Sequence, residues 1–387
     1  MKKIGIYIHI PFCRSKCFYC DFISYCNKDE KIDKYIECVK KEIKYKQEEI
    51  NKFSKKNNED IEIDTIYIGG GTPSYIKKEY IVDILQCVET GFHISKNCEI
   101  TIEVNPDSVD IEKLIEYKKI GINRISIGLQ SAENKLLKEI GRPHNFEQFK
   151  KAYENIEKAG FNNINVDLMI GLPNQDIDNV KKSLKEILKL NPTHISVYSL
   201  ILEEGTVLYK KIENGDLELP VDSIEREMYW YVKDKLEQNE YIHYEISNFA
   251  KPNKESKHNL NCWNQNEYLG IGLSAHSFFN NIRFSNIEKI DEYIDNIEDG
   301  YIERNQIINE ILDLESKQRE FMILGLRTIK GVEIRLFKEK FMKNPIYIFR
   351  EEINKLVTEG LIEVDGDYIK LTKKGLDLAN IVWQEFV

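Results

Sequence analysis

The chain contains 387 residues, of which 42% are hydrophobic and 31% are charged, a composition typical of globular rather than disordered proteins. A chain of this length can form one large domain of the barrel size class and a smaller second one. The formal net charge of −10 argues against a broad nucleic-acid-binding surface, and the lack of any apolar run of 18 or more residues argues against a transmembrane helix.

Short β-branched runs alternate with amphipathic helical stretches in the first half of the chain, which predicts βα units and a parallel sheet. The predicted strands are Ile4–Ile10, Ile63–Ile68, Cys98–Val104, Arg124–Leu129, Asn163–Ile170 and His194–Leu200. The predicted helices are Lys31–Ile50, Glu79–Thr90, Ile111–Lys119, Phe146–Ala159 and Asp178–Leu190. Six units are too few for a closed eight-fold barrel, so we predict an α/β fold with an open (β/α)6 partial TIM-type barrel. Functional residues in such a fold are expected at the C-terminal ends of the strands.

Two polar stretches and a C-terminal unit complete the predicted organisation. Residues 51–62 are expected to form a loose surface connection, and the stretch around His258 is expected to be irregular. From about residue 311 the pattern is helix, helix, hairpin and helix, which predicts a smaller α+β, winged-helix-like domain. Residues 310–387 carry 13 Lys/Arg against 14 Asp/Glu, so this unit is expected to pack or cover a substrate rather than bind DNA. The predicted domains are therefore 1–220, 221–310 and 311–387.

Three cysteines, Cys13, Cys17 and Cys20, follow the first predicted strand with the spacing C-x3-C-x2-C. A closed tetrahedral zinc site would need a fourth ligand, whereas a 4Fe–4S cluster bound by three thiolates leaves one iron open to a small chelating ligand. Cys26 lies six residues after Cys20, and that spacing matches no known run of cluster ligands. The chain has eight cysteines, which outside this cluster show no framework spacing, so we predict a reducing, cytoplasmic location.

The sequence IYIHIPFCRSKCFYCDF around these cysteines, together with GGGTP at residues 69–73, resembles the start of the radical SAM family in its coproporphyrinogen-oxidase-like branch. The resemblance implies the open barrel fold, a 4Fe–4S cluster on Cys13, Cys17 and Cys20, and S-adenosylmethionine (SAM) on the open iron. The implied SAM contacts are Tyr7, Tyr19, Gly70, Gly71, Thr72, Glu103, Gln130, Arg142, Asp167, Ile201 and His276.

The residue types at five of these positions, Gly70, Gly71, Glu103, Arg142 and Asp167, suit the binding of SAM. Consecutive glycines let the backbone approach a ligand with no side chain between them. A carboxylate such as Glu103 can accept hydrogen bonds from ribose hydroxyls. The guanidinium of Arg142 suits a carboxylate through two parallel hydrogen bonds. Asp167 is a charge within an apolar run, and such a residue is seldom buried without a partner.

The segment HNLNCW, from His258 to Trp263, resembles the HNxxYW signature of the haem chaperone family HemW, and the resemblance to that family extends nearly end to end. It implies haem binding by His258, Cys262 and Trp263. Cys262 departs from the pattern because it replaces the tyrosine of the signature. Histidine and thiolate are both axial ligands of haem iron, so Cys262 is an extra ligand, a neutral replacement, or a sign that haem is held differently.

Three functions remain open at this stage. The leading one is a radical SAM haem chaperone that passes haem to acceptor haemoproteins and needs an electron donor for its cluster; a peripheral membrane contact is compatible with it. The main alternative is the oxygen-independent coproporphyrinogen III oxidase, but Phe22 stands where the oxidase has an extra cysteine, and the oxidase's longer N-terminal segment has no counterpart before Tyr7. We therefore expect no oxidase activity. A zinc-binding interaction protein would leave the GGGTP segment unexplained.

Overall fold

A single twelve-stranded mixed sheet dominates the computed structural model, which describes residues 1–387. The strands of this sheet are β1 Lys2–Ile10, β2 Ile61–Gly70, β3 Ile94–Val104, β4 Arg124–Gln130, β5 Ile164–Ile170, β6 His194–Ser199, β7 Ile242–Glu245, β8 Asn248–Ala250, β9 Tyr268–Ile271, β10 His276–Phe279, β11 Ile282–Asn286 and β12 Gln306–Ile311. Their order is β12-β11-β10-β9-β1-β2-β3-β4-β5-β6-β8-β7. The six strands β1 to β6 are parallel neighbours in chain order, as predicted for an open six-unit barrel.

Helices connect the six parallel strands and cover their outer face. The helices are α1 Ile32–Asn57, α2 Lys78–Gly91, α3 Ile111–Lys119, α4 Asn134–Glu139, α5 Phe146–Lys158, α6 Ile177–Leu190, α7 Val207–Glu213, α8 Asp222–Gln238, α9 Lys257–Trp263, α10 Ile290–Glu298, α11 Leu314–Gly325, α12 Ile334–Phe341, α13 Pro345–Ile348, α14 Arg350–Thr358, α15 Lys373–Asp377 and α16 Ala379–Gln384. Side chains cap the N-terminal ends of several helices. Asn145 caps α5 and Asp176 caps α6, each in a capping box with the third helical residue.

Two of the predicted irregular stretches are ordered. The prediction of a loose connection at residues 51–62 is wrong, because α1 continues to Asn57 and ends in a left-handed residue, Asn58, only three positions before β2 begins. The stretch around His258 is not irregular either, because it forms the short helix α9. The hydroxyl of Ser256 caps α9 by accepting a hydrogen bond from the backbone N of Asn259.

The barrel strands alternate between two faces, and this alternation creates a polar lumen. Isoleucines such as Ile4, Ile6 and Ile8 face the helices and belong to a core cluster of 60 buried residues. Alternate positions carry polar side chains instead, and several of these are buried without joining that core; among them are Thr65, Thr101, Arg124, Ser126, Asn165, His194 and Ser196. The lumen is therefore lined by groups that need hydrogen-bond partners.

The C-terminal residues form a smaller unit with its own core. Helices α11, α12 and α14 pack on a three-stranded sheet of β13 Val332–Glu333, β14 Ile362–Asp365 and β15 Tyr368–Leu371, around a core cluster of 15 buried residues. The predicted hairpin around Gly366 is present as β14 and β15. None of the helices combines the length and apolar composition needed to cross a bilayer. The domain limits 1–220, 221–310 and 311–387 stay a prediction, and strands β7 to β12 of the middle region extend the sheet of the barrel.

Candidate functional site

A cavity of about 530 Å³ opens at the C-terminal ends of the barrel strands. It brings together most of the residues predicted for the cluster and for SAM. The predicted residues that line it are Cys13, Cys17, Cys20, Tyr19, Gly70, Gly71, Thr72, Glu103, Gln130, Arg142, Asp167 and Ile201. These positions are spread over the first 201 residues of the chain, and only the parallel βα arrangement puts them on one surface.

The three cysteines of the C-x3-C-x2-C run face this cavity. Cys13 is buried, and Cys17 and Cys20 are partly exposed. Burial raises the pKa of Cys20 to about 11, with Cys17 adding to the effect, so thiolates here require a positive charge beside them. No group of three or more His, Cys, Asp or Glu side chains is placed to hold one metal ion. Cys26 is absent from the cavity wall.

Two hydrogen-bond donors reach the sulfur atoms, and one amide connects them. Thr72 Oγ1 donates to Cys13 Sγ at 3.5 Å, and Arg142 Nη1 donates to Cys17 Sγ at 3.4 Å. Asn105 Nδ2 donates to the same threonine oxygen at 3.1 Å, while Asn105 Oδ1 accepts from Arg142 Nη2 at 2.8 Å. Burial opposes the charge of Arg142, but Tyr19 and Cys17 raise its pKa above the usual value, so the guanidinium stays charged.

The glycine turn after β2 is closely packed against the cysteine loop. A Cβ atom on Gly71 would lie 2.9 Å from Cys13 Sγ and 2.9 Å from the carbonyl oxygen of Phe12. Gly70 has a φ of +113°, and a Cβ there would lie 2.7 Å from the ring of His9. Side chains are excluded at both positions, so bare backbone borders the thiols.

Glu103 and Asp167 place two carboxylates on the cavity wall. Tyr67 Oη donates to Glu103 Oε1 at 2.8 Å, and the backbone N of Gly70 donates to Oε2 at 3.3 Å. Asn165 Nδ2 donates to Asp167 Oδ1 at 2.7 Å. Burial raises the pKa of both carboxyls, that of Glu103 to about 7. Glu103 therefore changes its charge near neutral pH.

One wall of the cavity carries polar atoms without partners. Gln130 ends β4 with a φ of +70°, next to a register shift between Gly128 and Gln130. A non-glycine residue in this region costs about 1–3 kcal/mol, and such strain is commonly found at functional sites. The buried atoms Gln130 Oε1 and Arg142 Nε lack hydrogen-bond partners. Unpaired buried polar atoms beside an open cavity indicate a polar ligand, which SAM would provide.

Two of the predicted SAM contacts lie outside the cavity wall. Tyr7 stacks on Tyr67 with ring centroids 6.2 Å apart, and its hydroxyl hydrogen-bonds His9 Nδ1 at 3.0 Å. His276 is exposed at the start of β10. The structure thus puts Tyr7 one side chain away from the cavity and does not bring His276 to it.

Sequence reasoning missed a second group of lining residues deeper in the lumen. The cavity wall also contains Tyr67, Asn105, Arg124, Ser126, Asn165, Ser196, Tyr198 and Asn259. The strand sequences carried a signal for them. Alternate positions hold Arg124, Ser126 and Gln130 in RISIGLQ and Asn165 and Asp167 in INVDLMI, which is the pattern of a strand with one polar buried face.

His258 lies in α9, at the lower end of the lumen, and is only 7% exposed. Its Nδ1 atom hydrogen-bonds Thr65 Oγ1 at 2.9 Å, and its ring lies 5.2 Å from that of Tyr67. The carboxylate of Glu99 accepts a hydrogen bond from the backbone N of His258 at 3.2 Å. Burial and the charge of Arg124 lower the pKa of His258 to about 4, so the imidazole is neutral at neutral pH.

Cys262 and Trp263 lie at the other end of α9, against the C-terminal unit. Burial raises the pKa of Cys262 to about 11, which keeps the thiol protonated. The guanidinium of Arg327 lies 4.4 Å from the centre of the Trp263 ring, and the buried Trp263 Nε1 has no hydrogen-bond partner. Of the HNLNCW segment, only Asn259 lines the cavity.

Comparisons with known proteins agree with this geometry. The sequence profile of the Radical SAM superfamily matches residues 7–187, and that of the HemN C-terminal domain matches residues 312–378. The heme chaperone HemW of Lactococcus lactis is 36% identical over 386 residues, covering 100% of this chain and 98% of the relative. The heme chaperone HemW of Bacillus subtilis is 38% identical over 383 residues, covering 98% of each chain.

The chain belongs to the HemW family of radical SAM proteins. Membership of this superfamily implies a 4Fe–4S cluster and SAM, and the thiols, bare glycine backbone and unpaired polar atoms of the cavity fit both groups. Among solved structures, coproporphyrinogen III oxidase (HemN) from Escherichia coli superposes with a TM-score of 0.85, covering 100% of this chain and 90% of that one. Its sequence identity is 22%, so that likeness establishes the shared fold of this HemW-family chain.

Proposed function

We propose that this HemW-family chain is a haem chaperone that binds a 4Fe–4S cluster, SAM and haem, and delivers haem to acceptor haemoproteins. The observation that carries the proposal is the nearly full-length identity of 36–38% to chains named heme chaperone HemW. The chain keeps the HN and W of the family's haem signature at His258, Asn259 and Trp263. An electron donor for the cluster and a peripheral membrane contact belong to the same proposal.

The upper cavity holds the cluster and SAM in this proposal. Thiolates of Cys13, Cys17 and Cys20 would hold the cluster, which would offer an open iron to the amino and carboxylate groups of SAM. The bare backbone at Gly71 lets the glycine turn lie directly against the thiols. Glu103 accepts hydrogen bonds from the ribose when it is ionised.

His258 is the proposed haem-iron ligand. Iron binds the neutral imidazole, and the low pKa of His258 keeps it neutral at physiological pH. The hydrogen bond between Nδ1 and Thr65 fixes the ring orientation and leaves Nε2 for the metal. Cys262 is the weaker candidate, because its raised pKa disfavours the thiolate that iron would require.

The cytosol is the proposed location of this chemistry. All eight cysteines are free thiols in the structure, and free thiols persist in a reducing compartment.

Haem titration of the cluster-reconstituted protein tests the proposal. Wild-type protein is expected to bind haem with a histidine-type absorption spectrum. His258→Ala should lose or shift the haem band, while Cys262→Ala should keep it. Normal binding with an unaltered spectrum in both single variants and in the double variant would place the iron ligand elsewhere, and no haem binding by the wild type would refute the chaperone proposal.

The oxidase alternative makes the opposite prediction. Phe22, which stands where the oxidase has a cysteine, lies at the cavity wall with 64% of its surface exposed. We expect no conversion of coproporphyrinogen III to protoporphyrinogen IX in anaerobic assays with SAM and a strong reductant. Multiple turnovers of the decarboxylated product would reverse the ranking.

A further inference from the structure

Arg124 is a buried cation in the lumen whose role no motif assigns. It is the first residue of β4 and only 2% exposed, yet it lines the cavity. Its Nε atom has no hydrogen-bond partner. A buried guanidinium is costly unless it is paired, so an unpaired one facing a cavity indicates a missing anionic partner.

Two carboxylates on which the charge of Arg124 acts already have other hydrogen-bond partners. Glu103 accepts from Tyr67 and from the backbone of Gly70, and Asp167 accepts from Asn165. The charge of Arg124 acts on both carboxyls at a distance, without a hydrogen bond to either. The guanidinium therefore keeps its donors for a group that enters the cavity.

The position of Arg124 separates it from the part of the cavity where the carboxylate of SAM would bind. Arg124 and Gln130 are the first and last residues of β4, and six steps of about 3.3 Å place their backbones roughly 20 Å apart. The carboxylate of SAM has to reach the open iron near Cys17, at the upper end. Arg124 instead shares the lower lumen with His258, whose pKa its charge lowers.

We propose that Arg124 is the receptor for a ligand carboxylate at the floor of the cavity, and that this carboxylate is a haem propionate. The proposal rests on haem binding as proposed above. Asn259, which belongs to the HNLNCW segment and lines the same cavity, connects the haem segment to this floor. A planar guanidinium binds a carboxylate through two parallel hydrogen bonds, which gives both affinity and orientation of the porphyrin.

A comparison of haem with haem dimethyl ester tests the proposal without altering the protein. Esterification removes the propionate charges and leaves the iron and the ring unchanged. Wild-type protein is expected to bind haem more tightly than the ester on the order of 10- to 100-fold, the range for a hydrogen bond to a charged group. Equal affinity for the two ligands would overturn the proposal.

The variant Arg124→Gln links that preference to the residue. Its affinity for the ester should match that of the wild type, while its preference for haem falls to about one. Arg124→Lys keeps the positive charge but loses the two parallel hydrogen bonds of the guanidinium. It should retain part of the preference for haem over the ester. Arg226→Gln removes a guanidinium of α8 that does not line the cavity, and should retain all of it.

Two results would assign Arg124 another role. Equal weakening of both ligands in Arg124→Gln, with a lower melting temperature, would make it a structural counter-ion for Glu103 and Asp167. Loss of SAM affinity with an intact preference for haem would make the bound carboxylate that of SAM. Either result overturns the haem-propionate assignment while leaving haem binding itself, and thus the chaperone proposal, intact.

Discussion

The two ends of the barrel lumen differ in how their polar residues are held. At the upper end, loops carry the thiols and glycines, Gln130 has a strained backbone, and buried polar atoms lack partners. At the lower end, the short helix α9 closes the lumen. Glu99 accepts from two backbone N atoms at the start of α9, and Thr65 bonds His258, whereas Arg124 Nε lacks a partner. The upper end is thus open to ligands over a whole wall, whereas the lower end is closed by a packed helix and leaves the cation Arg124 without a partner.

This difference bears on how haem would reach His258. The imidazole has little exposed surface and lies against the ring of Tyr67. Ligation of iron therefore requires a movement of α9 or of Tyr67, unlike the filling of the upper cavity. A haem site in the lower lumen would be formed by ligand-dependent rearrangement, and the cluster site by preformed geometry.

The largest effect is expected at the thiols of the upper end. Cys17→Ala should abolish the cluster, because the two remaining thiolates cannot complete the three-ligand set. Anaerobic reconstitution should give about four irons per chain in the wild type and none of that cluster in the variant. Cys26→Ala is the matched control and should keep full iron, because Cys26 does not line the cavity. Full iron in Cys17→Ala would show that Cys17 does not bind a cluster, and the upper end would then lose its assignment as a preformed cluster site.

A smaller effect is expected for the guanidinium of the upper wall. Arg142→Ala should weaken SAM binding by about 1.5–3 kcal/mol, the loss of a charge-assisted hydrogen bond. Calorimetric titration of protein with verified iron content measures this change and separates it from a loss of the cluster. Arg142→Lys serves as the conservative control and should recover part of the affinity. Unchanged affinity in Arg142→Ala would show that this wall does not hold SAM.

The smallest effect concerns the pH dependence of stability at Glu103. The pKa of Glu103 in the folded protein is about 7, above the value of 4.5 for a free side chain, so the folded state binds this proton more tightly. The free energy of unfolding should therefore fall as pH rises from 4.5 to 7 through this group.

Glu103→Gln should remove that loss and make the ligand-free protein more stable above pH 7 by about 1–3 kcal/mol. Urea denaturation of the wild type and the variant at pH 5 and at pH 8 measures this difference in the free energy of unfolding. The exposed Glu112 provides a control, because Glu112→Gln should leave the pH dependence unchanged. An identical pH dependence in wild type and Glu103→Gln would mean that Glu103 is ionised throughout the range.

The upper end could be predicted from the sequence far better than the lower end. The six long β-branched strands are unambiguous, and the cysteine run and the GGGTP segment mark where their loops converge. Strands β7 to β11, of three to five residues, carry too little pattern to be found. The helix α9 is polar and short, and part of its stabilisation comes from Glu99 on a distant strand, so its existence is a tertiary effect.

The amide of Asn105 makes no hydrogen bond to sulfur, but it positions the side chains that donate to two of the three sulfurs. Its two ends bond the threonine and the arginine that donate to Cys13 and Cys17. Hydrogen bonds to cluster sulfurs shift the reduction potential of an iron–sulfur centre. One residue outside the ligand set would therefore tune the reduction potential of a cluster held by these thiolates. Substitution of Asn105 would change how strong a reductant the electron donor must be.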